Sequence, residues 1–225
     1  MSDQNLTFTK AHVGRRASEL KEPYSGTEVA RIEDFGLSVF ICQGSIAWHR
    51  HIDEDEMFLV YTGAITVDSD LGPVFLRPGE LTVVPKGIRH RSASPIRSEV
   101  ILFQPWLLAD RHNGDRKMYA VGGQPLSKIN LYVAALPVRT PFAPQPVTSI
   151  GDFSLSLTVC EGTSSERVNA KQATLLLTQQ GEMKLTTGLG EMDLYVGDAV
   201  LIPKNVPFQL SAGKRSLLLE FSRPG

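Results

Sequence analysis

Apolar residues in this chain recur at every second position, as in Leu37, Val39 and Ile41, in Met57, Leu59 and Tyr61, and across Leu81 to Val84. A period of two places alternate side chains on one face of an extended strand, whereas a helix would repeat at 3.6. Gly, Pro and Asp-containing turns punctuate these runs, so the pattern predicts short antiparallel strands. Strands of that kind remove their unpaired edges by closing into a sandwich, jelly roll or barrel, and the expected fold class is all-β. Helix is expected at only two places, about His12 to Leu20 and about Lys128 to Leu136, each ended by a proline-containing stretch. Residues 137–146 carry four prolines and are unsuited to a central strand.

The pattern is written twice. Gly44 and Gly162, Gly63 and Gly181, Gly72 and Gly190, Gly79 and Gly197, Pro85 and Pro203, and Cys42 and Cys160 are all separated by 118 residues without a gap. The offset also relates Asp34-Phe35 to Asp152-Phe153, Arg97-Ser98 to Arg215-Ser216, and the two helical segments to each other. Identity of roughly one position in four over about eighty residues marks two copies of one structural unit. The expected division is an N-terminal unit at 1–110, a connection at 111–127 containing the polar run Arg111 to Arg116, and a C-terminal unit at 128–225.

Charge narrows the partners. The 23 basic and 24 acidic residues leave a formal net charge of −1 with no basic block, which argues against nucleic acid and anionic membrane surfaces. No leader-like N-terminus and no long apolar run is present, so a soluble, cytoplasmic protein is expected. Cys42 and Cys160 each lie in a strand-like run, where buried, reduced thiols are the expectation.

The chemistry concentrates in the first copy. His49 and His51 are two apart, so on an extended segment both imidazoles project from one face while Trp48 and Arg50 project from the other. Glu56 opens the next alternating run, and the turn at Pro85 and Gly87 aims His90 back toward the same point. Three imidazoles and one carboxylate suit one divalent transition metal, Fe, Mn, Ni, Co or Zn, better than Mg or Ca. Four protein ligands would leave two octahedral positions for water, substrate or dioxygen. Asp53, Glu54 and Asp55 read as a solvated acidic loop, with Asp55 as a second-choice ligand; His12 and His112 lack partners at ligand spacing and read as surface residues.

With these residues in register, the two segments resemble the paired motifs of the cupin superfamily. The first is carried by Gly44, His49, His51, Glu56 and Gly63, and the second by Gly79, Pro85, Gly87 and His90. Two departures stand out: four residues rather than five separate Gly44 from His49, and Ser94 occupies the position of the closing Asn. The resemblance implies two tandem double-stranded β-helix (jelly-roll) barrels, the first holding a metal on His49, His51, Glu56 and His90. It also implies a metal-dependent enzyme acting on a small organic molecule, with a dioxygenase favoured. A sugar isomerase or epimerase, and a metal-anchored binding or sensing protein without turnover, are the alternatives. Fold resemblance does not choose among them. No general base stands out; Lys86, Arg89, Arg91 and Tyr61 are near the site in sequence only.

Shifting the ligand positions by 118 gives Arg167, Asn169, Thr174 and Phe208, a set that cannot hold a transition metal. The second barrel is therefore expected to fold without metal and to serve a structural role, with an anion pocket at Arg167 and Asn169 as the functional alternative. Phe208 favours a filled interior. The assembly is expected to be a monomer or a homodimer.

Overall fold

In the computed structural model of the protein, the described residues are 10–106 and 124–224, so most of the expected connection at 111–127, including His112, lies outside them. The first copy contains β1 (Lys10–His12), α1 (Val13–Ser18), β2 (Gly26–Ile32), β3 (Phe35–Ser45), β4 (Glu56–Thr62), β5 (Ile65–Ser69), β6 (Val74–Leu76), β7 (Glu80–Val84) and β8 (His90–Pro105). The second contains β9 (Ile129–Asn130), α2 (Leu131–Ala135), β10 (Gln145–Ile150), β11 (Phe153–Thr163), β12 (Thr174–Gln180), β13 (Glu182–Thr187), β14 (Gly190–Tyr195), β15 (Asp198–Ile202) and β16 (Phe208–Ser222). The expected all-β, two-barrel architecture is what the chain adopts, with the two short helices inside the predicted segments.

Each copy builds an eight-stranded antiparallel sheet that wraps into a barrel. The main paths run β2-β3-β8-β4-β7-β9 and β1-β15-β12-β16-β11-β10. The long strands β3 and β8 shift register between Cys42 and Gly44, and this irregularity lets the same pair of strands serve both walls. Tolerance for proline at β10 follows from its place at the end of the path, where Pro146 needs no further partner.

The copies are laced together by reciprocal exchange. β1 pairs not with its own copy but with β15, Lys10 to His12 opposite Asp198 to Val200, and β9 pairs with β7 of the first copy. Both arms are pinned alike: Arg97 donates to the carbonyls of Ala17 and Leu20, and Arg215 to those of Ala135 and Val138.

Core residues explain the near-continuous apolar runs of the central strands. Leu37, Val39, Met57, Leu59 and Phe103 join Leu155, Leu157, Leu175, Leu219 and Phe221 in one cluster between the barrels. The alternate residues Phe40, Cys42, Phe58 and Val60 fill the first barrel, and Cys160, Leu176, Phe208 and Leu218 fill the second. Strands buried on both faces lose the polar half of their alternation. At the centre of the shared core, Phe35 packs tilted against Phe153 at 4.5 Å and Phe103 against Phe221 at 4.4 Å between ring centroids. Both cysteines are buried and free, as expected.

Candidate metal centre

The four predicted ligands come together. His49 and His51 follow β3 on a short bridge segment rather than a regular strand. His49 N–H donates to the His90 carbonyl at 3.0 Å, His90 N–H returns to the His49 carbonyl at 2.8 Å, and Gly87 N–H donates to the His51 carbonyl at 2.6 Å. This pairing fixes the extended backbone that turns both imidazoles inward. Glu56 begins β4 and His90 begins β8, each buried. One ligand atom from each of the four residues lies within 4.8 Å of the others. Around a metal at about 2.1 Å, neighbouring ligands stand about 3 Å apart and opposite ones about 4.2 Å, so small side-chain rotations close the set.

Protonation also fits. His49 Nδ1 lies 2.9 Å from the Ala47 carbonyl, His90 Nδ1 3.0 Å from the Ile88 carbonyl, and His51 Nδ1 3.3 Å from Glu54 Oε1. The carbonyls hold the proton on Nδ1 of His49 and His90 and turn Nε2 toward the site, and Glu54 lies beside the same edge of His51. His90 Nε2 and His51 Nε2 face Glu56 Oε2 at 3.0 and 3.4 Å. Burial would raise the Glu56 pKa, but without a metal His51 and His90 can carry a proton on Nε2 toward it, and those bonds and that charge hold the carboxyl at about 2; a bound cation would take the place of these protons. Burial lowers the basicity of His49, with the Ala47 carbonyl opposing. Ionised Glu56 and a neutral His49 are the forms a cation requires.

Two readings of the acidic loop need correction. Glu54 is not solvated: it is buried at 3 % exposure and supports His51. Its flanking acids hid it, because a run of three acidic residues in a loop normally faces water. Asp55 is not drawn into the ligand set. Its Oδ1 accepts from Lys86 N–H at 2.9 Å and its Oδ2 from Gly151 N–H at 3.0 Å, tying the Glu56 loop to the turn before His90 and to the second copy. Ser94 bonds to Ser98 and the Ile96 carbonyl where β8 bends, in a structural role. Arg89 and Arg91 lie over the outer ring of Trp48, Arg91 pairing with Asp68, while Tyr61 packs at Gly197 of the second copy. His12 caps α1, accepting from Arg15 N–H.

A cavity of about 700 Å³ opens from the ligands. Phe40, Phe58 and Leu102 make its apolar walls, and Tyr24, Ser38, Ser92 and Gln104 add polar groups. The Tyr24 hydroxyl donates to the Ser92 carbonyl at 2.8 Å.

The equivalent place in the second barrel holds a different cation. Arg167 pairs with Phe208 through the backbone as His49 does with His90, but its guanidinium grips Glu220 at 3.1 and 2.6 Å. Thr158 donates to the same carboxylate, and Asn169 donates to Thr174 at 3.2 Å. The anion pocket that was the alternative to a structural role is thus neutralised from within, and Phe208 fills the interior at 2 % exposure, as expected. The Glu220 signal was available in the sequence as a lone carboxylate in the apolar run Leu217 to Phe221.

Comparison with known proteins agrees with this architecture. The family described as Cupin domain matches residues 38–102. YdbB, an uncharacterised protein of Bacillus subtilis (strain 168), is 30 % identical over 83 residues, covering 36 % of this chain and 74 % of that protein. The chain belongs to the cupin family. A cupin 2 conserved barrel domain protein from Leptotrichia buccalis superposes with a TM-score of 0.72 at 9 % identity, covering 98 % of this chain and 99 % of that one. Salicylate 1,2-dioxygenase from Pseudoaminobacter salicylatoxidans, as its adduct with gentisate, gives 0.69 at 13 % identity, covering 96 % and 81 %. A two-residue deletion mutant of Bacillus subtilis oxalate decarboxylase OxdC gives 0.63 at 13 % identity, covering 98 % and 78 %. These likenesses describe the fold. No helix among the described residues is long and apolar enough to cross a membrane.

Proposed function

We propose that this cupin is a divalent-metal-dependent enzyme acting on a small organic molecule, a dioxygenase, with His49, His51, Glu56 and His90 as the metal ligands. One observation carries the reading: three imidazoles, two with a carbonyl acceptor at Nδ1 and the third beside Glu54, and one ionised carboxylate converge on a point that opens on a substrate-sized cavity. A bound transition metal would supply Lewis acidity and, if redox active, one-electron chemistry with dioxygen.

The chain's own residues supply the rest. A single carboxylate among neutral imidazoles would offset only half the charge of a divalent ion, so a loaded site would favour an anionic, oxygen-bearing substrate. Phe40, Phe58 and Leu102 present apolar walls, and Ser38 and the Tyr24 oxygen, whose proton goes to the Ser92 carbonyl, are placed to meet polar substituents. The likeness to salicylate 1,2-dioxygenase is one of fold, shared with oxalate decarboxylase, and enters the dioxygenase reading only as analogy.

The test is metal content of tag-free protein for wild type, His49→Ala and His90→Ala, followed by oxygen uptake with hydroxylated aromatic acids. About one equivalent per chain, lost in both variants, is expected from a four-residue site, with uptake dependent on added Fe(II). Metal absent from wild type, or kept by both variants, overturns the site. Metal bound without turnover of any trial substrate makes the protein a binder.

A further inference from the structure

At the mouth of the cavity, Trp106 is arranged unlike an ordinary surface tryptophan. Its position follows from strand register: Phe58 lies opposite Leu102 and Met57 opposite Phe103, so the next inward residue of β8, Gln104, comes level with Glu56. Trp106 is one inward position further out and lines the cavity beside the metal ligands. It stays 36 % exposed.

The ring is held from several sides. The Arg31 guanidinium stacks on it at 3.9 Å, and Glu28 fixes that guanidinium through Nε at 2.5 Å. Gly36, facing the same interior as Ser38 and Phe40, leaves room for the benzo edge: a Cβ there would lie 2.6 Å from Trp106 Cε3. Trp106 N–H donates to the Asp34 carbonyl at 2.6 Å. A tryptophan fixed in this way has already lost its rotamer freedom, so stacking a ligand on it costs little further ordering.

The metal-free barrel provides the control. At the positions of Trp106, Gly36, Arg31 and Glu28 it carries Pro224, Ser154, Ser149 and Pro146. All four parts of the arrangement are absent where the ligands are absent, although the backbone is shared. The arrangement thus accompanies the ligand cluster rather than the barrel backbone.

We propose that Trp106, braced by Arg31 and Glu28, is the specificity-determining wall of the site, and that the substrate class is a planar aromatic ring carrying adjacent oxygen donors. The ring stacks on the indole while its oxygens point to the ligand cluster. This rests on the metal-centre reading above. Aromatic contacts of this kind are offset or edge-on and add to simple area burial.

The test uses zinc-loaded full-length protein and two oxygen-donor probes, 2,3-dihydroxybenzoate, which has a ring, and oxalate, which has none. Metal loading is measured first in every sample, so a chain that takes up no metal sinks the metal-centre reading before any probe is added. In calorimetric titrations, Trp106→Ala is expected to weaken dihydroxybenzoate about 10-fold, and Arg31→Met, which keeps the fold's packing but removes the brace, about 3-fold. Oxalate affinity is expected to stay within about 2-fold in both, and Trp106→Phe to fall between wild type and Ala. Equal losses for both probes, no loss for either, or a metal-loaded wild type that binds oxalate but not the ring would each overturn the stacking wall.

Discussion

The two halves of this molecule bury a carboxylate in nearly the same backbone and neutralise it in different ways. In the first, Glu56 faces His51 and His90 and stands ready for a cation; in the second, Glu220 faces the Arg167 guanidinium. The carboxylate has moved between strands, since Glu220 occupies the position of Leu102 and Thr174 that of Glu56. The surrounding backbone has not moved with it. The bridges His49–His90 and Arg167–Phe208 are equivalent, and the left-handed backbone at Tyr24, Glu33 and Gly87 recurs at Phe142, Gly151 and Asn205. Turn positions and close approaches therefore belong to the barrel, and the glycine and proline pattern alone says nothing about metal. Gly63 and Gly181 illustrate this: a Cβ at either would meet a serine Oγ at 2.2 Å, Ser98 in one half and Ser216 in the other.

The comparison breaks most sharply at Arg167. Removing one partner of a buried ion pair leaves an uncompensated charge, which typically costs 3–5 kcal/mol; Arg167 is 26 % exposed, so we expect Arg167→Met to cost about 3 kcal/mol, near the lower end. Adding Glu220→Leu, which installs the residue of the first half, should recover stability to within about 1 kcal/mol of wild type or exceed it. Urea denaturation measures both, and metal content should not change. A loss below about 0.5 kcal/mol for the single variant would mean that the pair does not hold the second interior.

The same contrast shows what the sequence made legible. The duplication, the all-β class and the convergence of His49, His51, Glu56 and His90 were readable from the repeat offset, the strand period and the ligand spacing, and the jelly-roll form from the resemblance to cupins. The exchange of β1 and β9 was not: strands of three and two residues carry no period, and nothing local tells Lys10 that its partner lies at Val200. Glu54 escaped for a related reason, since its burial depends on where His51 turns. The Arg167–Glu220 pair spans 53 residues and becomes visible only when the two copies are aligned and the displaced carboxylate is noticed.

Asp55 separates the halves at a smaller scale. It joins the Glu56 loop, the turn before His90 and Gly151, and its counterpart is Ala173. Partners that orient ligands in this way typically tune metal affinity 10- to 100-fold, and we expect about a 10-fold loss in Asp55→Ala. Asp55→Asn, which keeps one acceptor oxygen, should recover part of it. Competition with a chelating dye reads the affinity, and unfolding of the metal-free protein isolates any purely structural cost. Unchanged affinity in Asp55→Ala would reduce the residue to a contact between halves.

The smallest expected effect concerns the exchanged arms, which are alike in path but unequal in chemistry. Lys10 meets Asp198 at 2.7 Å, whereas Lys128 meets Glu80 at 3.3 Å and Glu80 also accepts from Arg77 N–H and Asn130. Burial tends to raise the Glu80 pKa, but these donors outweigh it and hold the carboxyl below its ordinary value of 4.5. A depressed carboxyl contributes stability that is complete above its unfolded pKa and is lost as pH falls through the folded value. Lys128 is half-exposed, so the contribution is worth no more than about 1 kcal/mol. Wild type should therefore exceed Glu80→Gln by a constant margin from about pH 7 to about pH 5, and the margin should close in more acid solution. Urea denaturation along that series reads it directly. A margin that persists below the folded pKa would show that Glu80 holds the arm by shape and hydrogen bonding, with its charge contributing nothing.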